Sequence, residues 1–217
     1  MAVTIFDLDN TLIGGDSDYL WGQFLIEQGA VDKSSYHRDN RRYYLEYQQG
    51  TLDIMEFLNF QLRPLAENDP EQLHEWRTQF IDEKIRPIVL PAALSLIKDH
   101  SDKGNTLVVI TATNRFITEP IVALIKIDNL IATEPEMVNG RYTGRVTGIP
   151  CFREGKVKRL HEWLKARGEN LDASSFYSDS HNDIPLLEEV SCPVAVDPDE
   201  TLAQHAEMKG WPIITLR

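Results

Sequence analysis

The sequence predicts an α/β fold: a Rossmann-like parallel sheet with helices on both faces and a helical unit inserted after the first strand. Three observations carry this reading. The chain opens on a short apolar run, Val3-Thr4-Ile5-Phe6, that stops at Asp7. From Thr106 onward, strand-like and helix-like segments alternate, as in parallel strands joined by helical crossovers. Between about Gly14 and Arg86 no strand pattern is found and helix-like stretches follow one another. The expected division is a core of residues 1–13 and 87–217 and a helical unit of residues 14–86. A chain of 217 residues can bury one core of this kind with a smaller module attached.

Val3 to Phe6 suits a buried strand whose C-terminal end carries a polar site. Four helices are expected next, over Asp18–Gln28, Ser34–Gln49, Ile54–Leu62 and Glu71–Lys84, with Gly50, Pro64 and Asp69-Pro70 separating the pieces. Leu20, Trp21, Phe24 and Leu25 share one helical face, so the aromatic residues of this unit read as packing. In the core, strands are expected at Thr106–Ile110, Leu130–Thr133, Ser175–Ser178, Val194–Val196 and Ile213–Leu216. A helix is expected over Phe116–Ile127, with Pro120 near its first turn. Another is expected over Val157–Arg167, closed by Gly168 at the position that follows a helix end. Asn139-Gly140 lies between strand-favouring residues in Met137–Tyr142 and predicts a hairpin.

Composition narrows the function. The 42% apolar and 26% charged residues are ordinary for a soluble protein. No apolar run approaches the ~20 residues that span a bilayer, and the N-terminus lacks the basic segment of a signal peptide. With 34 acidic and 22 basic residues the formal net charge is −12, which disfavours nucleic acid and anionic membranes as partners. Cys151 and Cys192 form no metal-like pair, and a reduced, cytoplasmic setting is expected.

The chemistry gathers at strand ends. Asp7 and Asp9 follow the first strand at a spacing where two carboxylates repel; a magnesium ion relieves that repulsion through oxygen ligands. A second acidic cluster, Asp179-Ser180-His181-Asn182-Asp183, follows the strand Ser175–Ser178. In an open parallel sheet such ends meet in space, so Asp179 and Asp183 are expected to complete the magnesium shell, directly or through water. Thr111 ends a third strand, where a hydroxyl and the following N–H groups, Ala112 included, can hold phosphate oxygens. Lys156 begins a helix, where its charge opposes the helix dipole and a purely local role is not obvious. Lys158 and Arg159 are expected to face solvent. His181 is expected in a turn near the surface, and the other histidines show no metal-ligand spacing.

These four elements, in this order, resemble the haloacid dehalogenase superfamily of phosphatases over essentially the whole chain. The helical insertion and the later hairpin resemble the phosphoserine phosphatase-like branch, whose insertion is a C1-type cap. The resemblance implies Asp7 as nucleophile and Asp9 as general acid, then base. It implies Thr111 and Lys156 as phosphate-binding groups. Asp7, Asp179 and the Asp9 carbonyl would ligate magnesium, with Asp183 supporting a ligated water. Asp16 stands where that branch has a glutamate contacting the substrate's amino group, and Arg63 falls near an arginine that grips its carboxylate. Thr111-Ala112-Thr113 replaces Ser-Gly-Gly and narrows the space, which weighs against phosphoserine itself.

The activity implied is a magnesium-dependent phosphatase acting on a small phosphomonoester through an aspartyl-phosphate. The run Asp16-Ser17-Asp18-Tyr19-Leu20-Trp21 resembles a subgroup that includes histidinol-phosphate phosphatases, and acidic groups suit that amine- and imidazole-bearing substrate. Phosphoserine hydrolysis and phosphate transfer to another alcohol are the alternatives. Asp9 argues against carbon–halogen hydrolysis, which has no alkoxide to protonate, and the full motif set argues against a non-catalytic binding module.

Overall fold

In the computed structural model, which describes residues 2–217, the first strand is the centre of the sheet. It is β1 (Val3–Phe6), followed by α1 (Ser17–Glu27), α2 (Lys33–Gln48), α3 (Ile54–Glu67) and α4 (Pro70–Phe80). A wide helical turn at Ile81–Ile85 and a tight one at Arg86–Ile88 lead into α5 (Pro91–Asp102). Then come β2 (Thr106–Asn114), α6 (Arg115–Leu124), β3 (Asn129–Val138) and β4 (Arg141–Thr147). The chain closes with α7 (Glu154–Arg167), β5 (Ser175–Ser178), α8 (Ile184–Leu187), β6 (Cys192–Val196), α9 (Glu200–Lys209) and β7 (Ile213–Ile214).

The strand order is β4-β3-β2-β1-β5-β6-β7. Every pairing is parallel except the antiparallel β3–β4 hairpin. β1 lies between β2 and β5, so three strands far apart in sequence end side by side at the point where the order reverses, the usual ligand crevice of such sheets. Alternation sorts the side chains. Val3 and Ile5 join an apolar cluster with Leu160, Leu164, Leu202 and Ala206 from α7 and α9 on one face. Phe6 and Val109 point to the other, under α5, α6 and the inserted helices.

The inserted helices share that second core. Trp21 stacks on Phe24 and meets Phe80 and Phe116 edge-on, all fully buried or nearly so. The entry and exit of the segment are tied together: Gly14 N–H donates to the Ile88 carbonyl, and Ile13 bridges Val89.

Several elements depart from sequence expectation for identifiable reasons. α3 runs through Pro64 to Glu67 rather than ending near Leu62, because Leu62, Pro64 and Leu65 are buried together and packing outweighs the lost helical hydrogen bond. α6 begins earlier than expected, which puts Pro120 in its interior. The carbonyl that Pro120 cannot serve, four residues back at Phe116, is taken by the Arg77 guanidinium at 2.9 Å. β3 continues beyond Thr133 through Pro135 into the hairpin, and the register shift next to Pro135 accommodates the missing donor. The hairpin turn is as expected, with Asn139 and Gly140 both at positive φ. Gly168 closes α7 in the left-handed conformation. Arg159, expected in solvent, is folded back: it donates to the Ala132 carbonyl and pairs with Glu134 at 3.2 Å, tying α7 to β3.

Candidate active site

Asp7 leaves β1 with its N–H on the Tyr177 carbonyl of β5 (2.9 Å), so the neighbouring strand aims its carboxylate out of the sheet end. Leu8 to Ile13 form a tight turn in which the Leu12 and Ile13 N–H groups return to the Leu8 carbonyl. That turn sets Asp9 against the start of α1, whose Ser17 N–H donates to Asp9 Oδ1 at 2.6 Å. A carboxylate at a helix N-terminus is favoured by the exposed N–H dipoles. Asp16 is the N-cap of the same helix, accepting from the Tyr19 N–H.

Lys156, 2% exposed, is the cation of the sheet end. Its Nζ donates to Asp7 Oδ1 at 2.7 Å and to Asp183 Oδ2 at 2.9 Å. Gly155 explains how Lys156 arrives there: a Cβ at position 155 would stand 2.1 Å from the Pro150 carbonyl oxygen, so only glycine lets the α7 N-terminus press against that turn. Ser178 Oγ donates to Asp183 Oδ2 at 2.7 Å, and Thr11 Oγ lies 3.1 Å from Asp179 Oδ1. On the β2 side, Thr113 Oγ1 and Thr111 Oγ1 approach Asp9 Oδ2 at 2.9 and 3.4 Å.

One cavity is lined by Asp7, Asp9, Asp16, Asp18, Thr111, Ala112 and Thr113 together with a wall from the inserted helices. That wall is Tyr43, Tyr44 and Tyr47 of α2, with Asn40 and Phe57. Aromatic residues of the unit therefore divide: Trp21, Phe24 and Phe80 pack, whereas the α2 tyrosines, spaced three and four residues apart, face the cavity. That spacing was available in the sequence, but it equally describes a core face. Arg63 is not in this wall; its side chain is 55% exposed and lies 3.8 Å from Glu67. His181 sits in a short turn beside Asp199, with 2.7 Å between Nδ1 and Oδ2, and does not line the cavity. Arg153 clamps the helical unit to the sheet end, donating to the Gly50 carbonyl at 2.5 Å and to Asn182 Oδ1 at 2.9 Å.

The electrostatics are lopsided. No lysine or arginine lines the cavity among the described residues. Burial pushes the Asp7 carboxyl up to about 7 despite the Lys156 charge, and Asp183 and Asp9 add to the rise. Asp18, 6% exposed, is also raised to about 7, by burial and then by Asp9. Asp16 is raised well above its ordinary value by burial, Asp9 and Asp18, and Asp179 by burial, Asp7 and Asp183. Lys156 rises although burial alone would lower it, because Asp183 and Asp7 hold its proton. Such a site can bind a phosphate only with added positive charge, and its unpaired acids can receive a cation.

The haloacid dehalogenase-like hydrolase family model matches residues 4–188. A histidinol-phosphatase of Neisseria meningitidis serogroup C is 46% identical over 99% of both chains. A solved structure of a protein of unknown function from Bordetella pertussis superposes with a TM-score of 0.94 at 41% identity, covering 100% of this chain and 99% of that one. A phosphoserine phosphatase solved as a phospho-aspartyl intermediate analogue shares the fold, with a TM-score of 0.73 at 18% identity over 100% and 93% of the two chains. The strand order, the acidic sheet end and these matches agree: the chain belongs to the haloacid dehalogenase-like hydrolase family. Within it, the protein is a phosphomonoesterase.

Proposed function

We propose that this enzyme is a magnesium-dependent histidinol-phosphate phosphatase working through an aspartyl-phosphate on Asp7. The observation that carries the substrate is the charge of the cavity: Asp16 and Asp18 line it with no basic partner among the described residues. A substrate with an amine and an imidazole supplies the missing cations, and the tyrosine wall offers aromatic faces to them. Phosphoserine would bring a carboxylate to a wall that has no arginine, since Arg63 is turned outward. The similarity to the Neisseria histidinol-phosphatase supports the same choice. Two unpaired cysteines, Cys151 and Cys192, suit a reducing cytoplasm.

Magnesium fits the donors. Among the described residues no three His, Cys, Asp or Glu side chains converge into a ligating cluster. Magnesium, however, commonly takes only one or two carboxylates and fills its shell with carbonyl, phosphate and water oxygens. Asp7 and Asp179 would supply the carboxylates and Asp9 its carbonyl; the absence of histidine and cysteine there favours a hard cation. Asp183, with Lys156 and Ser178 on its carboxylate, holds the lysine in place. When bound, magnesium offsets charge on the phosphoryl oxygens.

In the reaction Lys156 grips Asp7 Oδ1, which leaves Oδ2 to attack phosphorus in line. As the ester P–O bond breaks, Asp9 gives its proton to the leaving oxygen. Asp9 then takes a proton from the water that attacks the aspartyl-phosphate, which restores Asp7 and releases inorganic phosphate. Turnover of histidinol phosphate, phosphoserine and a neutral alkyl phosphate, with and without magnesium, tests the reading. A kcat/KM at least ~100-fold higher for histidinol phosphate is expected, from two charge-assisted contacts; a preference for phosphoserine would overturn it.

A further inference from the structure

We infer that Thr113 is a positioning residue for leaving-group protonation: its hydroxyl fixes the orientation of the Asp9 carboxyl group. The inference rests on the phosphatase reading above. Asp9 is held at both ends, Oδ1 by the Ser17 N–H at 2.6 Å and Oδ2 by Thr113 Oγ1 at 2.9 Å. Thr111 Oγ1 is farther from Oδ2, at 3.4 Å, and already accepts from the Thr113 N–H at 3.2 Å. Thr111 therefore holds Asp9 by the longer contact and can turn its hydroxyl to a phosphate oxygen, whereas the Thr113 hydroxyl is held between the Asp9 and Asp18 carboxylates, with its short contact on Asp9. The two threonines divide the labour: one faces the phosphate, the other the acid.

Thr113 itself is fixed. It is 4% exposed, and β2 extends through it to Asn114, so its rotamer is set by strand geometry and packing rather than by solvent. With Oδ1 pinned by α1 and Oδ2 by β2, the carboxyl plane cannot rotate about the Cβ–Cγ bond without losing a hydrogen bond. A valine at 113 keeps the shape and the β-branch but releases Oδ2. Misplacing a reacting group by about 1 Å can cost ~10²-fold.

The leaving group separates this role from a structural one. An alkyl phosphate expels a strongly basic alkoxide that needs the Asp9 proton as the P–O bond breaks. p-Nitrophenyl phosphate expels a weakly basic phenolate that does not. For Thr113→Val we expect kcat/KM, which reports only the steps up to the aspartyl-phosphate, to fall roughly 10- to 100-fold on histidinol phosphate and on a neutral alkyl phosphate, with kcat/KM on p-nitrophenyl phosphate within about twofold of wild type. Thr113→Ser, which keeps the hydroxyl, should restore most of the alkyl-phosphate rate. Equal losses of kcat/KM on the alkyl and aryl phosphates, or a serine variant as impaired as valine, would overturn the inference. A wild-type enzyme inactive on every phosphate ester would instead refute the phosphatase reading, so the two failures are distinguishable.

Discussion

Replacing Asp18 by asparagine should make the protein more stable and a poorer enzyme on cationic substrates. Asp18 is 6% exposed, and its carboxylate has a neutral donor, the Asn114 amide at 3.4 Å. Burial raises it from an ordinary 3.8 to about 7. A carboxyl raised in the fold contributes stability that is complete below the unfolded value and is lost as pH climbs through the folded one. The window is therefore about pH 4 to 7, and above it the charged Asp18 costs at most about 4 kcal/mol. Asparagine keeps the shape and removes that cost. For a chain of this size each kcal/mol shifts the melting temperature by about 2–4 °C. Thermal melts of Asp18→Asn at pH 8 should thus run several degrees above wild type, with the two converging near pH 4. In kinetics, loss of one charge-assisted contact should raise KM for histidinol phosphate roughly 10- to 100-fold, while a neutral alkyl phosphate changes less than about twofold. A variant less stable at pH 8 would refute the burial cost assigned to Asp18, and equal impairment on both substrates would refute its assignment to cation recognition.

Lys156→Met leaves Asp7 and Asp183 buried without their shared cation, and breaking such a pair costs roughly 3–5 kcal/mol. Melting should fall accordingly, and phosphatase activity should be lost at every substrate concentration. Gly155→Ala places a Cβ 2.1 Å from the Pro150 carbonyl oxygen and must displace the start of α7; kcat should fall by about 10²-fold while Lys156 itself is retained. Arg153→Ala removes the clamp to Gly50 and Asn182. Faster proteolysis of the α2–α3 connection should follow, with little loss of sheet-core protection in hydrogen exchange.

The parts of this molecule that were legible in the sequence are those decided locally. An apolar strand stopping at Asp7, another stopping at Asp179, and an Asn-Gly turn each carry their own physics within a few residues, and together they predict the sheet and which strand ends meet. The parts that were not legible depend on distant partners. Pro120 sits inside α6 because Arg77, 39 residues before Phe116, serves the carbonyl it orphans. Arg159 reads as one more basic residue on a helix, yet β3 supplies the carbonyl and carboxylate that hold it against the sheet. Tyr43 and Tyr47 follow the same helical spacing as a packing face; only the placement of α2 over the sheet end turns them toward a cavity. Thr113 reads as lost space beside a phosphate site, and its hydroxyl meets Asp9 only because β1 and β2 end side by side.

The central claim is a covalent bond between Asp7 and the phosphoryl group, and trapping tests it most directly. Enzyme mixed with histidinol phosphate and magnesium, quenched in acid within a turnover and reduced with borohydride, should carry homoserine at position 7 in peptide mass spectra, with Asp9, Asp179 and Asp183 unchanged and Asp7→Asn unlabelled. Unmodified Asp7 in an enzyme that is turning over, or phosphate recovered on His181, would contradict the account.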